Sequence, residues 1–596
     1  MTRIALLIGS STLLLVSIAS ITSAQRSTVP SIPAPPPREP SPVRCDNADR
    51  PGYNVGNGYS NGGTSAAQNR AAPQPMRRAG ASEPPLNTFD VAPPPVSMPM
   101  VAPPAVPAAP PPAMSTYAAK APYGSQQNTE RYDGKAVASI QSVATVPVST
   151  FSVDVDTGAY SNVRRFLNQG GLPPSDAVRT EEMINYFRYD YPRPGDSAEP
   201  FSVTTDVSTT PWNPDTRLLR IGLRGYDVAT DERPRANLVF LVDVSGSMDE
   251  PDKLPLVKAA LERLADRLRP DDRVSIVVYA GNAGLVLAPT ANKGYVKAAL
   301  DCLQAGGSTA GGEGIKLAYD TARANFVKGG INRIFLATDG DFNVGVSDNK
   351  ALEAMVKSNR DDGITLTTLG FGDGNYNEAM MERIADVGNG NYAYIDSDRE
   401  AEKVLDDELS ATMVTIAKDV KVQVEFNPAA VKQYRLIGYE NRALAEEDFN
   451  NDAVDAGDMG AGHQVTALYE VVPANGAGWV SDRRYPANAA PAASPGEAAG
   501  ELCFVKLRYK LPEGGASRLI SRPVPATMLR DAAAPTGDMA FVTAVAAFGQ
   551  KLRGDKYLGK YGFADIQRLA GNPQTPWRQE FVRLTGMAGN RKPSGG

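Results

Sequence analysis

Between residue 236 and about residue 415 the chain alternates short apolar runs with segments whose apolar residues recur at helical spacing. The runs are NLVFLVDV, KLPLVKAALERLADRL, RVSIVVYA, GLVLAP, KGYVKAALDCLQ, GGEGIKLAYDTARANF, INRIFLATDG, ALEAMVKSNRDDG, ITLTTLGFG, NEAMMERIADVG, GNYAYI and REAEKVLDDELSATM. Near-continuous apolar strands separated by amphipathic helices predict a mostly parallel sheet covered on both faces. That architecture is a doubly wound α/β domain over residues 236–415.

The pattern differs on either side. FSVDVD alternates as a strand, AYSNVRRFLNQG has helical spacing with a Gly stop, and SDAVRTEEMINYF predicts a helix capped at Ser175 or Asp176. Residues 200–226 alternate as strands, so residues 146–232 read as an ordered flanking segment. After residue 418, DVKVQVEFN, QYRLIGYEN, HQVTALYEVV and ELCFVKLRYKL read as strands, and DMAFVTAVAAFGQKLRG and EFVRLTGMAG return to helix. Residues 418–596 therefore read as a β-rich C-terminal domain ending in helices, with a Pro/Ala/Gly insert at 486–500.

Composition sets the limits at the other end. Much of the content of 48 Pro and 54 Gly falls in residues 25–145, in runs such as PSIPAPPPREPSP and VAPPPVSMPMVAPPAVPAAPPPA. Such a segment has too few apolar side chains to offset chain entropy, so it reads as a disordered stalk or linker. Ahead of it, Arg3, the apolar stretch from Ile4 and the small residues Thr22, Ser23 and Ala24 have the layout of a secretory signal peptide over residues 1–24. Export to the periplasm or cell surface follows, the alternative being a membrane anchor formed by residues 4–24. A net charge of −6 argues against general nucleic-acid binding, which needs a Lys/Arg surplus. Cys45, Cys302 and Cys503 fit no metal spacing and no disulfide scaffold. Cys302 and Cys503 read as buried apolar residues and Cys45 as a free thiol in the linker.

Chemistry concentrates at the strand ends of the α/β region. Ligands of an open parallel sheet bind outside the carboxyl ends of its strands, where the strand order reverses. Asp243, Ser245 and Ser247 follow the first strand, Thr309 lies in GGSTAGGEGI before a helix, and Asp339 ends the strand in IFLATDG. Two carboxylates and three hydroxyls form an oxygen-only set suited to Mg²⁺, with Mn²⁺ or Ca²⁺ possible, rather than to zinc or copper. So few negative charges leave a divalent ion incompletely neutralised and ready to take an outside carboxylate. Each piece alone is weak, since Asp and Ser ahead of a helix are ordinary caps. Their conjunction in one α/β domain is specific.

In that conjunction the sequence resembles the von Willebrand factor type A domain, matching its metal-ion-dependent adhesion site at Asp243, Ser245, Ser247, Thr309 and Asp339. The flanks DVDTGAYSNVRRFLNQGGLPPSDAVRTEEMINYF and DAVDAGDMGAGHQVTALYE extend the resemblance to an exported bacterial subfamily with a C-terminal domain of unassigned role. The resemblance implies a divalent cation coordinated by the hydroxyls of Ser245, Ser247 and Thr309, with Asp243 and Asp339 acting directly or through water. It implies a protein ligand whose Asp or Glu completes the shell. It also implies mechanical coupling through the last helix, REAEKVLDDELSATM, into the β-rich part.

Other motifs carry less. His463 is the only histidine, and no nucleophile-elbow signature accompanies Ser245, so catalysis is not expected. DFNNDAVDAGDMG has Ala453 and Met459 where a calcium loop starting at Asp448 needs Gly and Glu, and reads as a solvated loop. GFGDGNYN reads as a Gly-rich turn. The expected function is metal-dependent protein binding by an exported protein. The alternatives are an assembly factor whose metal only stabilises the fold, and an adaptor to an ATPase complex.

Overall fold

The computed structural model describes residues 129–591 apart from 154, 195–198, 230, 310, 341–348, 408 and 482–499. The leader, residues 25–128 of the Pro-rich linker, Cys45 and residues 486–499 of the insert lie outside the described residues. Residues 129–145, which read as disordered linker, are instead ordered: they supply the strand Gln141–Ser142 and Glu130, which pairs with Arg165.

The α/β domain is built on the strand Ala236–Asp243, every residue of which is buried. Its side chains alternate between two cores, as a strand's two-residue period requires. Leu238, Phe240 and Val242 pack with Leu261 and Leu264 of helix Leu254–Asp266, whereas Val239 and Leu241 pack with Ile315 and Ala318 of helix Gly311–Ala324. Both faces are apolar because helices cover both.

The strands run in the order Tyr392–Ile395, Thr365–Phe371, Ile331–Thr338, Ala236–Asp243, Arg273–Tyr279, Ala283–Thr290. All pairs are parallel except the last, which is antiparallel. The chain lays strands to one side of Ala236–Asp243 and then crosses to build the other side. The order therefore reverses between Ala236–Asp243 and Ile331–Thr338, and their carboxyl ends border the crevice that a reversal opens.

The segments before and after this domain, which read as separate units in the sequence, share two antiparallel sheets. In one, Phe201–Thr210 and Asn213–Gly225 continue into Gln464–Pro473, Val431–Ile437 and Gln141–Ser142. In the other, Val148–Ser152 pairs with Thr415–Phe426, which pairs with Glu501–Lys510 and through it Arg518–Pro525. One core joins them: Phe151, Leu219 and Ile221 from before the α/β domain meet Val422, Val424, Tyr469 and Val505 from after it. The α/β domain is thus an insertion in a β-sandwich. No local pattern reveals this, because strand alternation specifies a buried face and not its partner.

Helices Gly158–Asn168, Thr180–Asn185, Gly537–Leu552, Phe563–Ala570 and Pro576–Gly589 share a further core with Leu218, Ile437 and Leu468 on the other face of the first sheet. Ser175 and Asp176 do not cap a helix as expected. They form a separate 3₁₀ turn, Ser175–Ala177, and the helix starts at Thr180 after an extended Arg179. Arg179 is extended there and its guanidinium pairs with Glu182, Glu378 and Glu382. Cys302 is half-buried at the end of helix Lys293–Asp301 rather than buried, while Cys503 is free and buried in the sandwich core.

Buried arginines fasten the α/β domain to its surroundings. Arg164 bonds Asp396 and Glu400 of the α/β domain and Glu580 of the last helix. Arg442 bonds Asp156, Glu382 and Asp386. The last stretch of the domain is not one regular helix: Asp398–Glu402 is α-helical, Lys403–Asp407 widens to a π turn, and Leu409–Met413 follows. The Asp-rich run is engaged rather than freely solvated. Arg508 and Ser517 hold Asp452, Arg360 of the α/β domain holds Asp455, and Asn389 donates to Asp458. Lys421 donates to the carbonyls of Asp448 and Asn451, so a protein cation sits at this run. Among the described residues no helix is long and apolar enough to cross a membrane.

Arg435 exemplifies the sandwich's buried polar chemistry. It reaches Glu470 at 2.8 Å, Asp555 at 2.9 Å and Gln550 at 2.6 Å beneath the Tyr557 ring. Removing the cation leaves two carboxylates buried without it, which costs about 3–5 kcal/mol. Arg435→Met is expected to lower stability by that amount in equilibrium urea unfolding of the full chain.

Candidate functional site

The site lies at the crevice where the strand order reverses. Asp243 ends its strand fully buried and is held by three donors. The Ser245 backbone N–H donates to Oδ1 at 2.9 Å, while the hydroxyls of Tyr279 and Thr338 donate to Oδ2 at 3.0 and 2.9 Å. Tyr279 ends the neighbouring strand on one side and Thr338 the strand on the other, so the sheet itself positions both. Even so, the Asp243 carboxyl is pushed up to about 6, by burial first and by the like charge of Asp339 second. The donors lower it without offsetting the two effects together.

Asp339 is also fully buried. Its Oδ2 accepts from Lys253 Nζ at 3.1 Å and from Asn375 Nδ2 at 3.1 Å, and Lys253 also donates to Asn375 Oδ1 at 3.0 Å. The chain turns sharply after Asp339 through Gly340, which has φ +87°. A Cβ there would come within 2.7 Å of the Asn377 nitrogen, so only glycine fits.

The hydroxyl residues lie above these carboxylates. Ser245 is buried, Ser247 is exposed, and their Oγ atoms are 3.1 Å apart. Two backbone bonds tie the Thr309 loop to the same turn, Gly246 N–H to the Gly307 carbonyl at 3.0 Å and Gly306 N–H to the Val244 carbonyl at 2.8 Å. Thr309 is buried just beyond Gly307. Thus Asp243, Ser245 and Ser247 are joined by direct hydrogen bonds, Asp339 by charge, and Thr309 by the tether of its loop.

Sequence reasoning missed Lys253 and Asn375. Lys253 immediately precedes a helix and reads as a surface residue, and Asn375 lies in the run read only as a Gly-rich turn. The available signal is position: GFGDGNYN follows the strand beside Ile331–Thr338, at the same edge of the sheet. His463 Nδ1 accepts from the Gly460 N–H at 3.2 Å.

The donor set fits a hard divalent cation. Two buried carboxylates close enough to repel one another are relieved by a positive charge between them. Adjacent oxygens of an octahedral Mg²⁺ shell with bonds of ~2.1 Å lie about 3 Å apart, the spacing of the two serine hydroxyls. The exposure of Ser247 leaves an approach from solvent. The Thr338 hydroxyl both donates to Asp243 and accepts from the Gly340 N–H at 3.1 Å. Thr338→Val, which keeps the volume and removes both bonds, is expected to destabilise the full chain by about 1–3 kcal/mol. Urea unfolding without added divalent cation measures this.

Three family models match the chain. "von Willebrand factor type A domain" covers residues 237–408, "von Willebrand factor" covers 126–220, and "Uncharacterized protein YfbK, C-terminal" covers 411–590. The chain is 47% identical over 482 residues to the Escherichia coli (strain K12) protein YfbK, covering 79% of this chain and 83% of that protein. It is 36% identical over 187 residues to the Synechocystis protein sll0103, covering 31% of this chain and 43% of that protein. A solved von Willebrand factor type A protein from Catenulispora acidiphila aligns at 16% identity over 67% of this chain and 91% of its own, with a TM-score of 0.37. A mussel byssus proximal thread matrix protein 1, solved with a zinc-occupied MIDAS motif, aligns at 22% identity over 31% of this chain and 46% of its own, with a TM-score of 0.25.

Proposed function

We propose, from the premise that this chain belongs to the family of the Escherichia coli protein YfbK and contains a von Willebrand factor type A domain, that it captures a partner protein through a divalent cation. The observation that carries this is the pair of fully buried carboxylates, Asp243 and Asp339, at the crevice where the strand order reverses, beneath a serine pair that reaches solvent. A type A domain supports protein binding in general; the metal, the residues that hold it and the class of ligand are our assignment.

Ser245, Ser247 and Thr309 would hold the ion through their hydroxyls, and Asp243 and Asp339 directly or through water. Mg²⁺ suits this oxygen-only set best, with Mn²⁺ or Ca²⁺ as substitutes. When bound, the ion supplies a positive centre with a position open to an anion, and an Asp or Glu side chain of the partner is the complementary group. Tyr279 and Thr338 fix the orientation of Asp243, while Asn375 and Lys253 fix that of Asp339. No catalytic step is assigned to these residues. Export is included in the proposal, supported by the Arg3, apolar and small-residue layout of residues 1–24.

The test is capture from cell-envelope extract by the full chain, in Mg²⁺ or EDTA, beside Asp243→Ala and Thr309→Ala. Wild type in Mg²⁺ is expected to recover a specific protein that EDTA and both variants lose, with thermal unfolding midpoints showing that the variants remain folded. Equal recovery in every sample would overturn metal-dependent capture and favour an ion that only stabilises the fold.

A further inference from the structure

Lys253 is an unusual neighbour for a cation site. It is 4% exposed, and its ammonium lies 3.1 Å from Asp339 Oδ2 and 3.0 Å from Asn375 Oδ1. Its backbone is fastened at both ends, the N–H to the Glu250 carbonyl and the carbonyl to the Val257 N–H at the start of helix Leu254–Asp266. Its stem crosses Gly372, where φ is +74° and an added Cβ would lie 2.4 Å from Lys253 Cγ and Cε. The glycine therefore leaves the channel through which the lysine reaches the site. A side chain so enclosed is a fixed charge and cannot swing away when another cation arrives.

We infer that Lys253 is a built-in counter-charge that weakens the site's hold on the divalent cation alone and strengthens the metal-loaded site's hold on the partner's carboxylate; this rests on the function proposed above. Asp243 and Asp339 as carboxylates carry two negative charges, and Lys253 cancels one. Without a divalent ion the site therefore holds one net negative charge instead of two, and attracts a cation less. With the ion, the site carries one net positive charge instead of none, and an anion is drawn to it. The opposite charges of ion and carboxylate make each raise the affinity of the other, by the reciprocity that linkage requires, and Lys253 shifts the two affinities in opposite directions. The fixed lysine trades affinity for the metal against the metal-loaded site's affinity for the carboxylate.

The test uses the full chain with Mn²⁺ as metal and acetate as the carboxylate probe, in wild type, Lys253→Met and Lys253→Gln. Calorimetry gives Mn²⁺ affinity at constant ionic strength with rising acetate in place of chloride. Removing a nearby positive charge is expected to tighten Mn²⁺ binding without acetate by at least about tenfold, because the Coulomb repulsion between the two cations is lost with it. Acetate is expected to strengthen Mn²⁺ binding to wild type and to do so less in the variants. The rise in thermal midpoint on adding Mn²⁺ is the second readout: it should be larger in the variants, including any whose metal-free form is destabilised by loss of the Asp339 pair. Unchanged or weaker Mn²⁺ binding in both variants, with wild type binding normally, would overturn the role of Lys253 and leave the metal site standing. No Mn²⁺ binding by any of the three proteins would instead overturn the metal site itself.

Discussion

Two like charges share a desolvated crevice, and the surrounding structure is arranged to make that tolerable. A carboxylate taken out of water is costly, and a second beside it raises the cost. The chain meets this with donors drawn from both neighbouring strands, a lysine threaded past a glycine and an asparagine that bonds Asp339 and that lysine. Every one of these groups depends on the strand order. Had the chain not crossed from Ala283–Thr290 to Ile331–Thr338, Asp339 would not lie beside Asp243.

The same logic recurs where the α/β domain meets the sandwich. Arg164, Arg179 and Arg442 are each buried or nearly so, and each collects two or more carboxylates from different segments. Replacing such clusters by apolar groups is often neutral for stability, whereas breaking them is costly. Their value here is geometric: a planar donor fork accepts few arrangements of its partners. Arg164 fixes Glu400 just ahead of the π turn at Lys403–Asp407, at the segment leading back into strand Thr415–Phe426. Any movement of that segment must first exchange these bonds.

The α/β class was legible because each strand is apolar on both faces and each helix on one, and the structure has that parallel, doubly covered sheet. The five oxygen-bearing residues were legible because strand ends at a reversal are where side chains converge. Lys253 and Asn375 were not, since their roles come from the path of a side chain over Gly372 and from a turn whose sequence resembles any other. The sharing of sheets between residues 141–225 and 415–525 was equally hidden: Val148–Ser152 and Thr415–Phe426 are paired across the whole inserted domain. The engagement of the Asp-rich run was missed because composition shows its charge and not the Lys421, Arg508 and Arg360 that answer it.

This interleaving of strands has a consequence for how the chain folds. Contacts within the inserted domain are comparatively local, so it can form as its own cooperative unit while synthesis continues. The sandwich cannot. Val148–Ser152 finds its neighbour only when residues 421–425 exist, and Gln464–Pro473 closes on Asn213–Gly225 later still. Loop-closure entropy makes such pairings slow, and until they form the early strands expose unpaired edges. The unit that carries the candidate site is thus expected to mature before the frame that holds it, leaving the newly made chain most prone to aggregation through its sandwich strands.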